Sequence, residues 1–282
     1  MKLIGIGDNV VDYYQDQSMM YPGGNALNVA VAAKRNGAEH SAYLGLVGDD
    51  EAGHYVLKCL QSEGIETARM RRAYGPNACA SVALNEAGDR IFTGTNREVR
   101  VQSLLSLRLT KGDLDYINGF DVIHTSVNSS IEHELPSLSH KSVSFDFSTK
   151  QKWTFPYLQA VCPHLTYAFF SGADMNDDEI SRLVEETLVY GVKVVGITKG
   201  SEPAMFFEHG QMYRQPPLPA HVVDTMGAGD SFIGSFLASY HEHRDMVEAL
   251  RKAAYSASVT CGFYGSFGYG TQAADSVRET AR

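Results

Sequence analysis

Much of the chain alternates between short apolar runs and segments with helical periodicity. Residues 2–7 form a short apolar run that ends in glycine, and residues 24–36 carry apolar side chains at spacings of three and four. The first pattern predicts a strand and the second a helix. The cycle repeats with a strand at 41–47 and a helix at 51–63. This alternation predicts an α/β fold.

A different pattern interrupts the rhythm at residues 78–94. Two segments with strand character, ACASVALN and RIFTG, flank a glycine-containing turn at 86–89, which predicts a β-hairpin. The α/β rhythm then resumes. Further strands are predicted at 121–125, 142–147, 166–170 and 193–198, with helices at 174–190, 231–240 and 245–262 and a marginal helix after residue 271.

The order of these elements favours one layered architecture. Crossover helices bury their apolar stripes against a sheet, so the series predicts a mostly parallel central sheet flanked by helices on both faces. We expect a single domain over 1–282. The hairpin and the loop at 13–22 stand outside it as a small β flap, or lid, formed by about 13–22 and 74–97. This lid is expected over the carboxyl edge of the sheet, where open α/β folds bind ligands.

Composition and charge narrow the function classes. The 282 residues carry 24 basic and 33 acidic side chains, a formal charge of −9 with the acidic residues scattered. This balance argues against a nucleic-acid partner or an anionic membrane surface. No apolar run approaches the roughly 20 residues that span a bilayer, and the N-terminus turns polar too early for a signal peptide. We therefore expect a cytoplasmic protein with a small-molecule partner.

The most informative segment is DTMGAGDSF at residues 224–232. Small residues precede an amphipathic helix, so backbone N–H groups at Gly227 and Gly229 can approach an anion, aided by about half a positive charge at the helix N-terminus. Asp230 beside such an anion suits the acceptance of a proton from an attacking hydroxyl. Considered alone, the segment is also explained by an ordinary N-cap.

A second glycine-rich segment, GGNALN at residues 23–28, opens an earlier helix. Asn25 and Asn28 are three residues apart and share a helix face, where their amides suit sugar hydroxyls. Asp12 lies at the same edge, just after the first strand. The alternative, in which Asn25 caps the helix and Asn28 is merely exposed, is equally open on these residues alone.

Taken together, three motifs resemble the PfkB, or ribokinase-like, carbohydrate kinase family. They are DTMGAGDSF at 224–232, GGNALNVA at 23–30 and LGLVGDDEAG at 44–53, in the family's order, and the resemblance covers nearly the whole chain. It implies ATP-dependent phosphorylation of a sugar hydroxyl, with Asp230 as catalytic base. Because phosphoryl transfer has a loose transition state, an aspartate with an ordinary pKa suffices.

The resemblance also implies roles for further residues. The chain departs from the family pattern at Ser171, which replaces the asparagine of the family's magnesium-associated N-x-x-E element. The implied roles are an anion hole at Gly227, Ala228 and Gly229; sugar contacts from Asp12, Gly24 and Asn28, with Asn25 adjacent; nucleotide contacts from Thr198, Gly200 and Ser256; water-mediated Mg²⁺ binding by Asp174; and a K⁺ site at Asp224 with Met226.

Within the family the chain resembles the fructoselysine 6-kinase branch, whose substrates are ketose amines. The resemblance lies in GDNVVD at 7–12, FDFS at 145–148 and DTMGAGDSF. Val10 stands where ribokinases have a sugar-binding asparagine, which argues against ribose. Asp8 or Asp146 can face a substrate ammonium, or each can be a strand-end carboxylate satisfied by backbone N–H groups.

The sequence leaves two functional alternatives open and also predicts an oligomeric state. The chain can be another kinase of the family, of the fructokinase or ribokinase type, or a nucleotide- or sugar-binding regulator that keeps the fold without turnover. The exposed β face of the lid hairpin invites burial against a second copy, so we expect a homodimer.

Overall fold

The computed structural model describes residues 1–84 and 90–280. Its strands form a nine-stranded and a five-stranded sheet. They are β1 (Lys2–Gly7), β2 (Val10–Tyr14), β3 (Met19–Gly23), β4 (His40–Gly48), β5 (Arg71–Ala73), β6 (Cys79–Leu84), β7 (Arg90–Thr95), β8 (Val122–Ser126), β9 (Ser142–Thr149), β10 (Tyr167–Ser171), β11 (Val194–Lys199), β12 (Glu202–Glu208), β13 (Gln211–Gln215) and β14 (Thr271–Gln272).

Helices follow most strands of the larger sheet, as βαβ connections require. Short 3₁₀ turns at Glu132–Glu134, Lys150–Lys152 and Cys162–His164 complete the connections. The α-helices are α1 (Asn25–Arg35), α2 (Glu51–Ser62), α3 (Val101–Leu104), α4 (Lys111–Ile117), α5 (Leu135–Leu138), α6 (Phe155–Val161), α7 (Asp177–Val189), α8 (Ala228–His243), α9 (Met246–Thr260) and α10 (Asp275–Thr280).

The nine-stranded sheet confirms the predicted α/β architecture. Its order is β13-β12-β11-β10-β9-β8-β1-β4-β5, and the strands from β11 to β5 are parallel. The edge strands β12 and β13 are antiparallel and were not predicted from the sequence. Of the helices in the part of the chain that the structure describes, none has the length and apolar character of a membrane span.

Both faces of this sheet are covered by helices, which explains why the inner strand β10 is apolar from Tyr167 to Phe170. In β10, Tyr167 and Phe169 pack in one core with α1, α8 and α9. The intervening Ala168 and Phe170 pack in the opposite core with α4 to α7. Because side chains alternate across a strand, a run without polar residues belongs to a strand buried on both sides.

The five-stranded sheet has the order β14-β3-β2-β6-β7. β6 and β7 pair antiparallel, as the predicted hairpin requires, and its turn at 86–89 lies outside the described residues. The expectation of a loop at 13–22 was wrong, because β2 and β3 form an antiparallel pair there. Buried side chains at Tyr13, Tyr14, Met20 and Tyr21 account for the pairing, and only a short polar turn separates the strands.

A close helix crossing sets the position of the N-termini of α1 and α8. Gly234 of α8 packs directly on α1, where a Cβ at this position would lie 2.6 Å from the Ala32 Cβ and 2.8 Å from the Val29 oxygen. Any larger side chain separates the two helices. The absence of a side chain therefore lets the start of α8 approach the start of α1.

We predict that Gly234→Ala lowers the free energy of unfolding by about 1–3 kcal/mol, the usual cost of overpacking a dense interior. Gly229→Ala in the same helix is the matched control, because a Cβ there would meet no atom within 4 Å. Urea denaturation measures both changes. Equal stability of the two variants would contradict the close crossing.

Candidate active site

A cavity of about 1450 Å³ lies between the carboxyl edge of the nine-stranded sheet and the five-stranded sheet. Its floor includes residues that follow β1 and β8, together with the end of β9, and its opposite wall includes residues of β2, β6 and β7. Strand β1 lies between β4 and β8 in the sheet order, and such an edge is where open α/β folds bind ligands.

Asp230 reaches this cavity from the first turn of α8. Its two carboxylate oxygens accept hydrogen bonds of 2.6 Å from the Asn25 and Asn28 side-chain amides of α1. Asn28 is buried, and Asn25 makes no side-chain cap on α1. The structure thus differs from the alternative in which Asn25 caps the helix and Asn28 is exposed.

Asn25 is the centre of a larger network. Its amide nitrogen donates to Asp146 as well as to Asp230, at 2.6 Å in each case. Its amide oxygen lies 2.9 Å from Nε2 of His124, whose Nδ1 lies 2.9 Å from the Ser144 hydroxyl. Burial lowers the pKa of His124 to about 3, so the ring is neutral. With an Nε2–H donor, it fixes the Asn25 amide so that its nitrogen faces the carboxylates.

The two carboxylates are difficult to ionise together. Burial, together with the neighbouring Asp146 charge, raises the pKa of Asp230 to about 7, although the hydrogen bond from Asn28 lowers it. Burial likewise raises the pKa of Asp146 to about 6. An ordinary pKa therefore does not describe Asp230 in this structure, because the site is desolvated and crowded with negative charge.

Asp8, like Asp146, which accepts from the Ser148 backbone N–H at 2.8 Å, is a strand-end carboxylate with a backbone donor. Its carboxylate accepts from the Asn25 backbone N–H at 2.6 Å and from the Ser126 and Ser129 hydroxyls at 2.9 and 2.7 Å. It therefore closes the N-terminus of α1, in agreement with the alternative of a strand-end carboxylate satisfied by backbone donors. Asp8 still lines the cavity, as does the buried Asp12.

Two glycines bring backbone close to the site. Gly24 has a φ of 110°, and a Cβ there would lie 2.5 Å from the Asn9 Cα. Gly227, the N-cap of α8, has a φ of 71°, and a Cβ there would lie 2.4 Å from the Ser266 Cβ. Beyond it, Ala228 is partly buried and Gly229 is exposed with open space beside its Cα. The first turn of α8 is thus an uncovered backbone surface suited to an anion.

Other candidate residues lie around this centre rather than in it. Thr198 ends β11 near Gly200, which has a φ of 62°, and Asp174 lies on an exposed turn after β10. Ser256 bonds to Ser231 at 2.7 Å and lines a separate cavity of about 230 Å³. These four residues do not line the large cavity.

Asp224 is buried beneath the loop that precedes α8. Its carboxylate accepts hydrogen bonds from the Tyr14 hydroxyl and from the backbone N–H groups of Met226 and Gly265. The side chain is thus engaged in holding β2, this loop and the C-terminal segment together. A cation bound at this loop is therefore expected to use backbone oxygens rather than the Asp224 carboxylate.

Comparisons with known proteins agree with this geometry. Residues 1–267 match the model of the pfkB family of carbohydrate kinases. The chain is 49% identical over 271 residues to the fructosamine kinase FrlD of Bacillus subtilis, covering 96% of this chain and 94% of the relative. It is 32% identical over 268 residues to the fructoselysine 6-kinase of Escherichia coli, covering 94% and 99%.

Solved structures show the same fold at lower identity. A fructokinase with bound ATP from Xylella fastidiosa has a TM-score of 0.78 and 19% identity, with 94% of each chain covered. A ribokinase II structure from Escherichia coli, in complex with ATP and Mg²⁺, has a TM-score of 0.79 and 18% identity, again with 94% of each chain covered.

We predict that Asp230→Asn stabilises the protein more at pH 8 than at pH 5. A carboxyl whose pKa is raised in the folded state destabilises that state increasingly as pH rises from about 4 through 7. The melting temperature of the variant relative to wild type is therefore expected to rise by at least about 2 °C between these pH values.

Asp146→Asn provides the comparison, with a smaller rise because its pKa is raised only to about 6. Thermal unfolding of the three proteins in matched buffers measures the differences. If the difference in melting temperature between Asp230→Asn and wild type is constant with pH, or falls as pH rises, the raised pKa of Asp230 is contradicted.

Proposed function

Because the chain belongs to the pfkB family of carbohydrate kinases, we propose that it transfers the terminal phosphate of ATP to a hydroxyl of a fructosamine, a fructose joined to an amine. The acceptor class comes from the names of the two relatives, a fructosamine kinase and a fructoselysine 6-kinase. The observation that carries the proposal is the position of Asp230, which lies in the first turn of α8, lines the cavity and accepts hydrogen bonds from two side-chain amides of α1.

In this mechanism Asp230 takes the proton of the acceptor hydroxyl. The hydroxyl oxygen forms a bond to the terminal phosphorus of ATP while the bond from that phosphorus to its bridging oxygen breaks, giving a phosphate ester and ADP. The hydroxyl proton passes to Asp230. A carboxyl with a pKa of about 7 is a stronger base than an ordinary aspartate and is still substantially ionised at neutral pH.

The anion hole lies at the start of α8. Backbone N–H groups of Gly227, Ala228 and Gly229 are proposed to hold the phosphate oxygens, and the helix dipole adds positive potential there. Thr198, near the end of β11, and Gly200, just after it, are proposed to contact the nucleotide, with Ser256 on α9 as a further nucleotide residue.

Magnesium and a monovalent cation are part of the proposal. Mg²⁺, when bound, neutralises charge on the phosphate oxygens. The exposed carboxylate of Asp174, which forms no ion pair within the described residues, suits binding through water. A K⁺ ion would use the backbone oxygens of Asp224 and Met226, because the Asp224 side chain is already engaged.

Sugar hydroxyls are proposed to contact Asp12, Gly24 and Asn28. All three residues line the cavity, and the Asn28 amide nitrogen also donates to Asp230 at 2.6 Å. Asp8 is a secondary contact, since capping of α1 already engages it. Asp146 is the proposed partner for the substrate ammonium. Burial raises its pKa to about 6, and a nearby cation would lower the free-energy cost of ionising it.

Assembly and location complete the proposal. The five-stranded sheet, with the segments 13–22 and 74–97, acts as a lid on the cavity. Its edge strand β7 exposes Ile91, which is 46% accessible and does not line the cavity. This edge is proposed to pair with a second copy in a homodimer. We propose a cytoplasmic location, because the proposed reaction consumes ATP.

We predict ATP-dependent phosphorylation of fructoselysine with a higher kcat/KM than for fructose or ribose, measured by ADP release. Strong preference for a free sugar would reject the acceptor class. ADP release that does not depend on an added acceptor would reject the kinase reaction itself.

In the same assay Asp230→Asn is expected to lower kcat by about 10²–10⁴-fold, the usual contribution of a general base. Asp245→Asn is the matched control, since Asp245 caps α9 away from the cavity and asparagine is an equally good cap. Normal turnover by Asp230→Asn would overturn the proposed mechanism.

A further inference from the structure

Three basic side chains line the large cavity together with its carboxylates. Arg97 lies just after β7, Arg100 immediately precedes α3, and Lys152 ends the 3₁₀ turn after β9. The cavity therefore holds charges of both signs, with Asp146 and Asp230 among the negative ones.

Ion pairs engage neither arginine within residues 1–84 and 90–280, whereas Arg35 pairs with Glu63 at 2.6 Å. Burial and the charge of Arg97 lower the pKa of Arg100, and the charge of Asp8 raises it, so Arg100 lies within electrostatic range of both groups. Arg100 uses its Nε to bond Ser103 at 2.8 Å, and its terminal nitrogens remain as donors for a ligand.

Apolar side chains stand beside these cations. Phe92, Leu104 and Leu105 line the same cavity and are 67%, 65% and 48% accessible. Exposed apolar side chains grouped at a cavity mark a surface that a ligand can cover. The cavity thus offers both guanidinium groups for an anion and an exposed apolar surface.

We propose that Arg97 and Arg100 are specificity-determining residues that bind the carboxylate of an amino-acid-linked fructose, the acceptor class that the name fructoselysine 6-kinase already implies. This inference rests on the proposed function. Guanidinium groups bind carboxylates with two parallel hydrogen bonds. The amino-acid side chain would cover Phe92 and Leu104, while the ammonium and the sugar lie toward Asp146 and Asp230.

A matched substrate pair tests the assignment. N-fructosyl-valine carries the carboxylate, and N-fructosyl-isobutylamine is the same molecule with that carboxylate replaced by hydrogen. We expect Arg97→Gln and Arg100→Gln each to lower kcat/KM for N-fructosyl-valine by about 10-fold or more, as for loss of a charge-assisted hydrogen bond. For N-fructosyl-isobutylamine the change is expected to be less than about 3-fold, with the KM for ATP unchanged.

Arg214→Gln is the control, because Arg214 is an exposed arginine on the edge strand β13 and does not line the cavity. Arg214→Gln is expected to leave kcat/KM unchanged for both substrates. Equal losses on both substrates, or a raised KM for ATP, would overturn the inference and assign the arginines to the ATP phosphates or to folding. If wild type phosphorylates neither fructosamine, the proposed function itself fails, which is a distinguishable result.

Discussion

The site depends on one side-chain amide that bridges two carboxylates. Asp146 and Asp230 belong to different elements, β9 and α8, and both accept from the Asn25 nitrogen at 2.6 Å. Two like charges this close repel each other, and the bridging donor offsets only part of that repulsion. Burial, together with the charge of Asp146, raises the pKa of Asp230 to about 7. A cationic or proton-donating ligand would offset the cost of ionising this carboxyl, which links the structure of the site to the chemistry that it favours.

The fold holds this bridge in place from two directions. Neutral His124 fixes the amide orientation from β8, and its partner Ser144 lies directly opposite it in the register of β8 and β9. The close crossing at Gly234 brings the start of α8 against α1. The helix whose N-terminus suits an anion thus also carries the carboxylate suited to taking a proton.

Local sequence was sufficient to predict the glycine-rich turns, the central sheet and most of the candidate residues, because turns and buried strands have strong short-range patterns. His124 was missed because a polar residue in a strand carries no sign of its partner, which comes from strand register. β2 and β3 were missed because a polar turn breaks their apolar pattern. Raised pKa values depend on burial and on charges distant in sequence, and arginines such as Arg97 resemble ordinary surface residues until the cavity is known.

The central claim is that Asp230 is a desolvated carboxyl poised to change protonation near neutral pH. The most direct measurement is a carboxyl-carbon NMR titration of the ligand-free protein, with the Asp230 signal assigned by its loss in Asp230→Asn. The account predicts a midpoint of about 7 for this carboxyl. A midpoint of about 4, the ordinary value for aspartate, would contradict it.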